Sequence, residues 1–149
     1  MSNTLKYVSP KYAKSGAYAK DIQDIKNKNV CPFCPKYFPG TWHTNPILKV
    51  KNNWLITKNM HPYKNVKEHF IIVGKQHLEN ITSLTIKDFA TILYLSRWTI
   101  RKFDLSGGML GMRFGQTKFT GATVKHLHAH LITPSILKNK VLVVNFPIG

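Results

Sequence analysis

One eight-residue segment constrains this chain more than any other: Lys125-His126-Leu127-His128-Ala129-His130-Leu131-Ile132. Polar and apolar residues alternate through most of it, the pattern of a strand with one face in the core. On such a strand His126, His128 and His130 share one face, while Leu127, Ala129 and Leu131 share the other and pack inward. With 7 His in 149 residues, only about 0.015 such triples are expected by chance, so accidental spacing does not account for the pattern. Three imidazoles aligned by a rigid backbone can hold a phosphate. They repel one another when protonated, so at least one stays neutral near pH 7.

The rest of the chain reads as α+β, a mostly antiparallel five-stranded sheet with one main helix. Short apolar and β-branched runs bounded by Asn, Pro and Gly predict strands at 54–57, 69–73 and 110–114, with 126–132 as a fourth and 141–144 as a fifth. The main helix starts at Thr85, an N-cap with Asp88 in the first turn. Phe89, Ile92, Leu93, Trp98 and Ile100 then recur at helical spacing as far as Arg101 and Lys102. Residues 1–29 are polar and Lys-rich and read as an N-terminal extension with a short helix over 18–25; residues 30–149 form the domain proper.

Apolar residues make up 43% and charged residues 19%, a globular rather than disordered balance. No run of eighteen apolar residues spans a membrane and residues 1–14 carry no secretory signal, so a cytoplasmic protein is expected. The 22 basic side chains against 6 acidic ones would attract polyanions. Yet 19 of the 22 are Lys, spread along a chain rich in Asn and Ile, which is also what an AT-rich coding sequence produces. The charge alone decides nothing. Cys31-Pro-Phe-Cys34 is a lone C-x-x-C, open to a metal site, a redox pair or two small core residues. His43 and His61 read as solvent-exposed loop residues. Phe33, Tyr37, Phe38 and Trp42 are equally candidates for a base pocket or for core.

The three-histidine segment resembles the His-φ-His-φ-His-φ-φ signature of the histidine-triad superfamily, where φ is apolar. Three further segments look like family features in the family's order: Asn59-Met-His-Pro62, His69-Phe-Ile-Ile-Val-Gly-Lys-Gln-His77 and Gly121-Ala-Thr123-Val124. The resemblance runs from about Val30 to Ser135. It implies a nucleotide-binding hydrolase or nucleotidyl transferase cutting at the α-phosphate of a nucleoside phosphate derivative, either a dinucleoside polyphosphate or a nucleoside phosphoramidate. His128 would be the nucleophile, forming a nucleotidyl-histidine intermediate. His130 would hold a non-bridging oxygen, Thr123 would contact the phosphate or leaving group, Asn59 the ribose, and His69 the nucleotide side.

The resemblance also implies a structural zinc held by Cys31, Cys34, His77 and His126, as in the zinc-containing branch, and a homodimer. Three features depart from the family pattern. Arg113-Phe-Gly115 stands where an Asn is common two residues before the Gly. Ala122 replaces a Gln, and the stretch between Pro62 and His69 is about two residues longer. Two rival readings are DNA-end deadenylation, as in the aprataxin branch, and a non-catalytic nucleotide-binding protein. The first is disfavoured because no finger of C-x-x-C…H-x-x-H type follows the triad before Gly149; the second because His128 is intact.

Overall fold

The computed structural model describes residues 6–148. Its centre is a five-stranded antiparallel sheet, order β1-β2-β3-β5-β4, made of β1 (Ile47–Lys51), β2 (Trp54–Lys58), β3 (Val66–Gly74), β4 (Met109–Met112) and β5 (His128–Pro134). The α+β expectation with one main helix holds, with two corrections in the strands. β1 was not expected: Ile47-Leu-Lys-Val-Lys51 alternates poorly, and its pairing comes from the two-residue Asn52-Asn53 turn, where Asn52 takes the left-handed conformation at φ 50°. The strand expected at 141–144 is not part of the sheet. There a Lys138-Asn139 turn, φ 47° and 61°, closes a small separate hairpin of β6 (Ile136–Leu137) and β7 (Lys140–Val141), and 142–148 then run on without regular structure.

The sheet's two faces carry different chemistry because side chains alternate along each strand. One face presents Trp54, Ile56, Phe70, Ile72, Ala129 and Leu131 to helix α2 (Ile86–Lys102), which covers them with Ile92 and Leu95. Thr85 and Asp88 close a capping box at the start of α2, and Trp54 Nε1–H donates to the same Asp88 at 2.9 Å, tying cap to sheet. The buried side of α2 is Thr91, Ile92, Leu95, Ser96 and Thr99. Contrary to the periodicity reading, Phe89, Leu93 and Ile100 lie outside it, exposed by 51%, 54% and 40%. Thr91, Ser96 and Thr99 can be buried because each hydroxyl donates to the carbonyl four residues back.

The other face presents His69, Ile71, Val73, His128 and His130. The N-terminal segment roofs it. Helix α1 (Ala17–Lys28) buries Ile22 and Ile25 against Val8 and Val124. Ser9 N–H donates to Thr123 O at 2.7 Å, which places the segment beside the approach to β5. A short helix α3 (Thr117–Thr120) lies on that approach. Among the described residues no helix is long and apolar enough to cross a membrane.

Candidate active site and metal centre

Between the sheet and its roof lies a cavity of 620 Å³, the size of a small-ligand site. Its lining includes His128, His130, Thr123 and Asn59, brought together from β5, the segment before it and the loop after β2. The apolar end is built by Ile22, Ile25, Phe33, Trp42 and Val124. Of the four aromatic candidates, Phe33 and Trp42 therefore face the cavity. Phe38 is core against Leu55, Ile71 and Val73, and Tyr37 packs on Trp42.

The hydrogen bonds fix which nitrogen of each imidazole carries the proton. A carbonyl only accepts, so His128 Nδ1, 2.7 Å from His126 O, must be the N–H. Nε2 of neutral His128 is then a lone pair. Burial, reinforced by the nearby Arg113 charge, pushes His128 down to about 3, which keeps it neutral. His69 Nδ1 accepts from the Tyr63 backbone N–H at 3.3 Å, so Nε2–H of His69 donates to His130 Nδ1 at 2.9 Å. That leaves His130 Nε2–H as a buried donor with no partner among the described residues, in a side chain lining the cavity. His69 itself is buried behind His130 rather than on the cavity wall. Burial lowers it to about 4, and burial followed by the neighbouring His128 holds His130 well below its ordinary value.

Asn59 Oδ1 accepts from His61 N–H at 3.0 Å, and its Nδ2 packs on the His69 ring. The Tyr18 hydroxyl hydrogen-bonds the Thr123 side chain, and burial raises it above the usual tyrosine range. His61 is half-buried, 3.3 Å from the Asp21 carboxylate, rather than a free loop residue. Four contributors were not assigned a site role from the sequence: Tyr18 and Lys14 from the roof, Tyr63, whose ring stacks on His130 at 5.8 Å, and Phe146, whose ring lies 5.2 Å from His130. No local pattern marks them, because each reaches the site by a long-range contact.

His43 is a clear correction. Expected in solvent, it is 4% exposed. Its Nε2–H donates at 2.9 Å to Thr57 Oγ1, whose own proton goes to Pro46 O. Burial lowers His43 to about 4. The unfolded chain takes up a proton below about 6.5, the folded one only below about 4. The stability from a neutral His43 is therefore complete above 6.5 and lost as pH falls toward 4, amounting to ~2 kcal/mol between pH 7 and pH 5. Unfolding free energies from urea titrations at those two pH values should differ by that much less in His43→Gln than in the native chain. Equal differences in both would refute the assignment.

Cys31, Cys34, His77 and His126 form a second cluster whose ligand atoms all lie within 4.8 Å of one another. His126 Nε2–H donates to Gly74 O at 2.6 Å and His77 Nε2–H to Glu79 at 3.2 Å, so both Nδ1 atoms face the sulfurs as lone pairs. The separations are 3.3 Å between the two nitrogens, 3.3 Å for Cys31–His126, 3.5 Å for Cys34–His77 and 3.8 Å for Cys34–His126. A tetrahedral ion with bonds of about 2.0 Å to N and about 2.3 Å to S requires edges of roughly 3.3–3.8 Å. The donor set and these four separations thus fit such an ion. His126 stands just before β5 rather than within it, which lets its ring turn to the cysteines while His128 and His130 face the cavity.

No protein-family model and no curated protein matches the chain at a significant level. Solved structures do. A protein described as "Hit Like Protein" superposes with a TM-score of 0.52 at 19% identity, over 61% of this chain and 87% of that one. A histidine triad protein from Clostridium difficile gives 0.50 at 17% identity over 70% and 88%. A member of the HIT family from Bacillus subtilis gives 0.50 at 20% identity over 70% and 74%. With the three-histidine motif on β5 and its approach, these superpositions show that the chain has the histidine-triad fold.

Proposed function

We propose that the protein is a nucleotide hydrolase or nucleotidyl transferase working through His128. The observation that carries this is the pairing of a lone-pair Nε2 on His128 with an unpartnered Nε2–H on His130 in one cavity. His128 Nε2 attacks the α-phosphorus, a P–N bond forms, and the bond to the leaving group breaks, with that group taking up a proton. His130 donates to a non-bridging oxygen, and its N–H is pre-aimed because His69 holds its other nitrogen. Water or another acceptor then displaces the histidine. Thr123 lies within reach of the phosphate end, Asn59 of the ribose, and the apolar end takes the base. The test is a panel of dinucleoside polyphosphates and nucleoside phosphoramidates in ¹⁸O water, with and without inorganic phosphate. Label in the released nucleotide is expected for a hydrolase. Absence of turnover on every member would reject the reading.

The second cluster is read as a structural zinc site: four protein ligands leave no open position, so the ion would tie the Cys31–Cys34 knuckle to the strand carrying His128 and take no part in the chemistry. A reducing compartment such as the cytoplasm keeps both sulfurs available as ligands. On this reading residues 1–29 extend a domain spanning 30–149, with the part from residue 6 onward packed over its cavity as a roof.

A homodimer is supported by the sheet's edge. β4 is the last strand, with one side unpaired, and beside it lie Leu110 and, on α2, Ile86, Phe89 and Leu93, exposed by 45%, 89%, 51% and 54%. An apolar groove next to an open strand edge suits a two-fold contact. Light scattering at micromolar concentration should give a dimer mass, and Phe89→Glu with Leu93→Glu a monomer; a monomeric native chain would overturn this.

A further inference from the structure

The wall of the cavity next to the triad holds two cations that nothing in the mechanism uses. Arg113, immediately after β4, stands where the histidine-triad pattern has Asn. Its Nη1 donates to Pro147 O at 3.0 Å and its Nη2 to the Tyr63 hydroxyl at 3.3 Å. Its Nε–H is buried without a partner among the described residues. Lys14 Nζ sits 4.2 Å over the centroid of the same Tyr63 ring. Neither cation pairs with a carboxylate among the described residues. Asp21, the acidic residue of the cavity lining, is turned to His61 at 3.3 Å. Partial burial and then repulsion by Arg113 lower Lys14 from its ordinary value. Two like charges held against one tyrosine in a half-closed cavity destabilise each other unless an anion is bound beside them.

Their position sets which anion. Tyr63 touches both cations, Lys14 over its ring and Arg113 at its hydroxyl, and its ring stacks on His130 at 5.8 Å, so the pair lies one ring away from the imidazole assigned to the attacked phosphate. We propose that Arg113 and Lys14 form a second phosphate subsite, and that the chain therefore selects nucleosides bearing two or more linked phosphates over those bearing one. The proposal rests on the reading of the cavity as a nucleotide site.

Binding, rather than turnover, tests it. Dissociation constants of adenosine and guanosine 5′-mono- and triphosphate are measured by calorimetry at physiological salt, with inorganic triphosphate as a third probe. In the native chain the triphosphate is expected to bind at least ~10-fold more tightly than the monophosphate. Lys14→Gln and Arg113→Gln should each reduce that ratio to ~3-fold or less. Lys102→Gln on α2, across the sheet from the cavity, removes the same charge and should leave the ratio unchanged. Lys14→Gln is needed because Arg113 also holds Pro147 and Tyr63 in place. A ratio that survives both cavity variants overturns the subsite. So does an equal fall in Lys102→Gln, which would mean a diffuse field, or an equal loss of monophosphate affinity in Arg113→Gln, which would put Arg113 on the attacked phosphate. If no nucleotide binds while inorganic triphosphate binds and loses affinity in both variants, the subsite stands and the nucleotide reading falls.

Discussion

His128→Ala should lower kcat by at least ~10³-fold, since on the proposed mechanism it removes the nucleophile rather than a helper, while nucleotide affinity changes by less than ~10-fold. The asymmetry follows from the geometry. The cavity's apolar end, the Thr123 hydroxyl and the His130 donor are contributed by other residues and persist in the variant. Protein quenched with substrate should carry a nucleotidyl adduct on His128, absent in His128→Ala. The fold should survive, because His128 lines the cavity rather than the packed core and its hydrogen bond goes to a carbonyl that water can satisfy. Near-native kcat in the variant, or an adduct on another residue, would remove the central claim. His69→Ala offers a graded comparison. It leaves the nucleophile intact but frees His130 Nδ1, so the donor is no longer held in one tautomer, and a smaller loss in kcat is expected.

Metal removal should have the largest effect on stability. Metal analysis of the purified chain should find about one zinc per molecule, and chelation should lower the melting temperature by ~10 °C or more. That corresponds to a loss of a few kcal/mol, well below the ~10–16 kcal/mol of zinc-finger peptides that cannot fold without their ion. The reduction is expected because the chain has a core of its own on the α2 face, where Ile56, Phe70, Ile72 and Leu95 pack together. Cys31→Ser and Cys34→Ser should lose the ion and the stability yet retain part of the activity, because His128 points to the cavity and not to the sulfurs. Glu79→Gln should weaken zinc binding ~10-fold or more without removing a ligand, since the carboxylate holds His77 in the tautomer that presents Nδ1. Metal-free protein of unchanged stability would refute the site.

The local patterns of the chain determined a good deal. Period-two alternation placed His128 and His130 on one face of a buried strand. The Thr85/Asp88 pair marked the start of α2, and the order of motifs around 59–62, 69–77 and 121–124 pointed to the histidine-triad fold. These signals are legible because a strand's faces, a helix cap and a short turn are set by residues within a few positions of one another. The contacts that complete the site are not of that kind. Val8 bridges to Val124, Ser9 Oγ hydrogen-bonds Thr117 across 108 positions, and Arg113 reaches Tyr63 across 50. Residues 6–29 look like a polar extension in sequence because only Val8, Ile22 and Ile25 are deeply buried hydrophobics there. Packing alone turns the segment into the roof of the cavity. The burial of His43 is invisible locally for the same reason: a loop residue with no periodic partner reads as exposed, and only its hydrogen bond to Thr57 in the folded chain shows otherwise. The sequence by itself determined the triad strand, its rigid support and the residue types for a metal knuckle. Tertiary structure alone decided which histidine nitrogen is free, what covers them, and where Arg113 and Lys14 place their charge, because tautomers, burial and neighbouring cations exist only once segments a hundred residues apart are in contact.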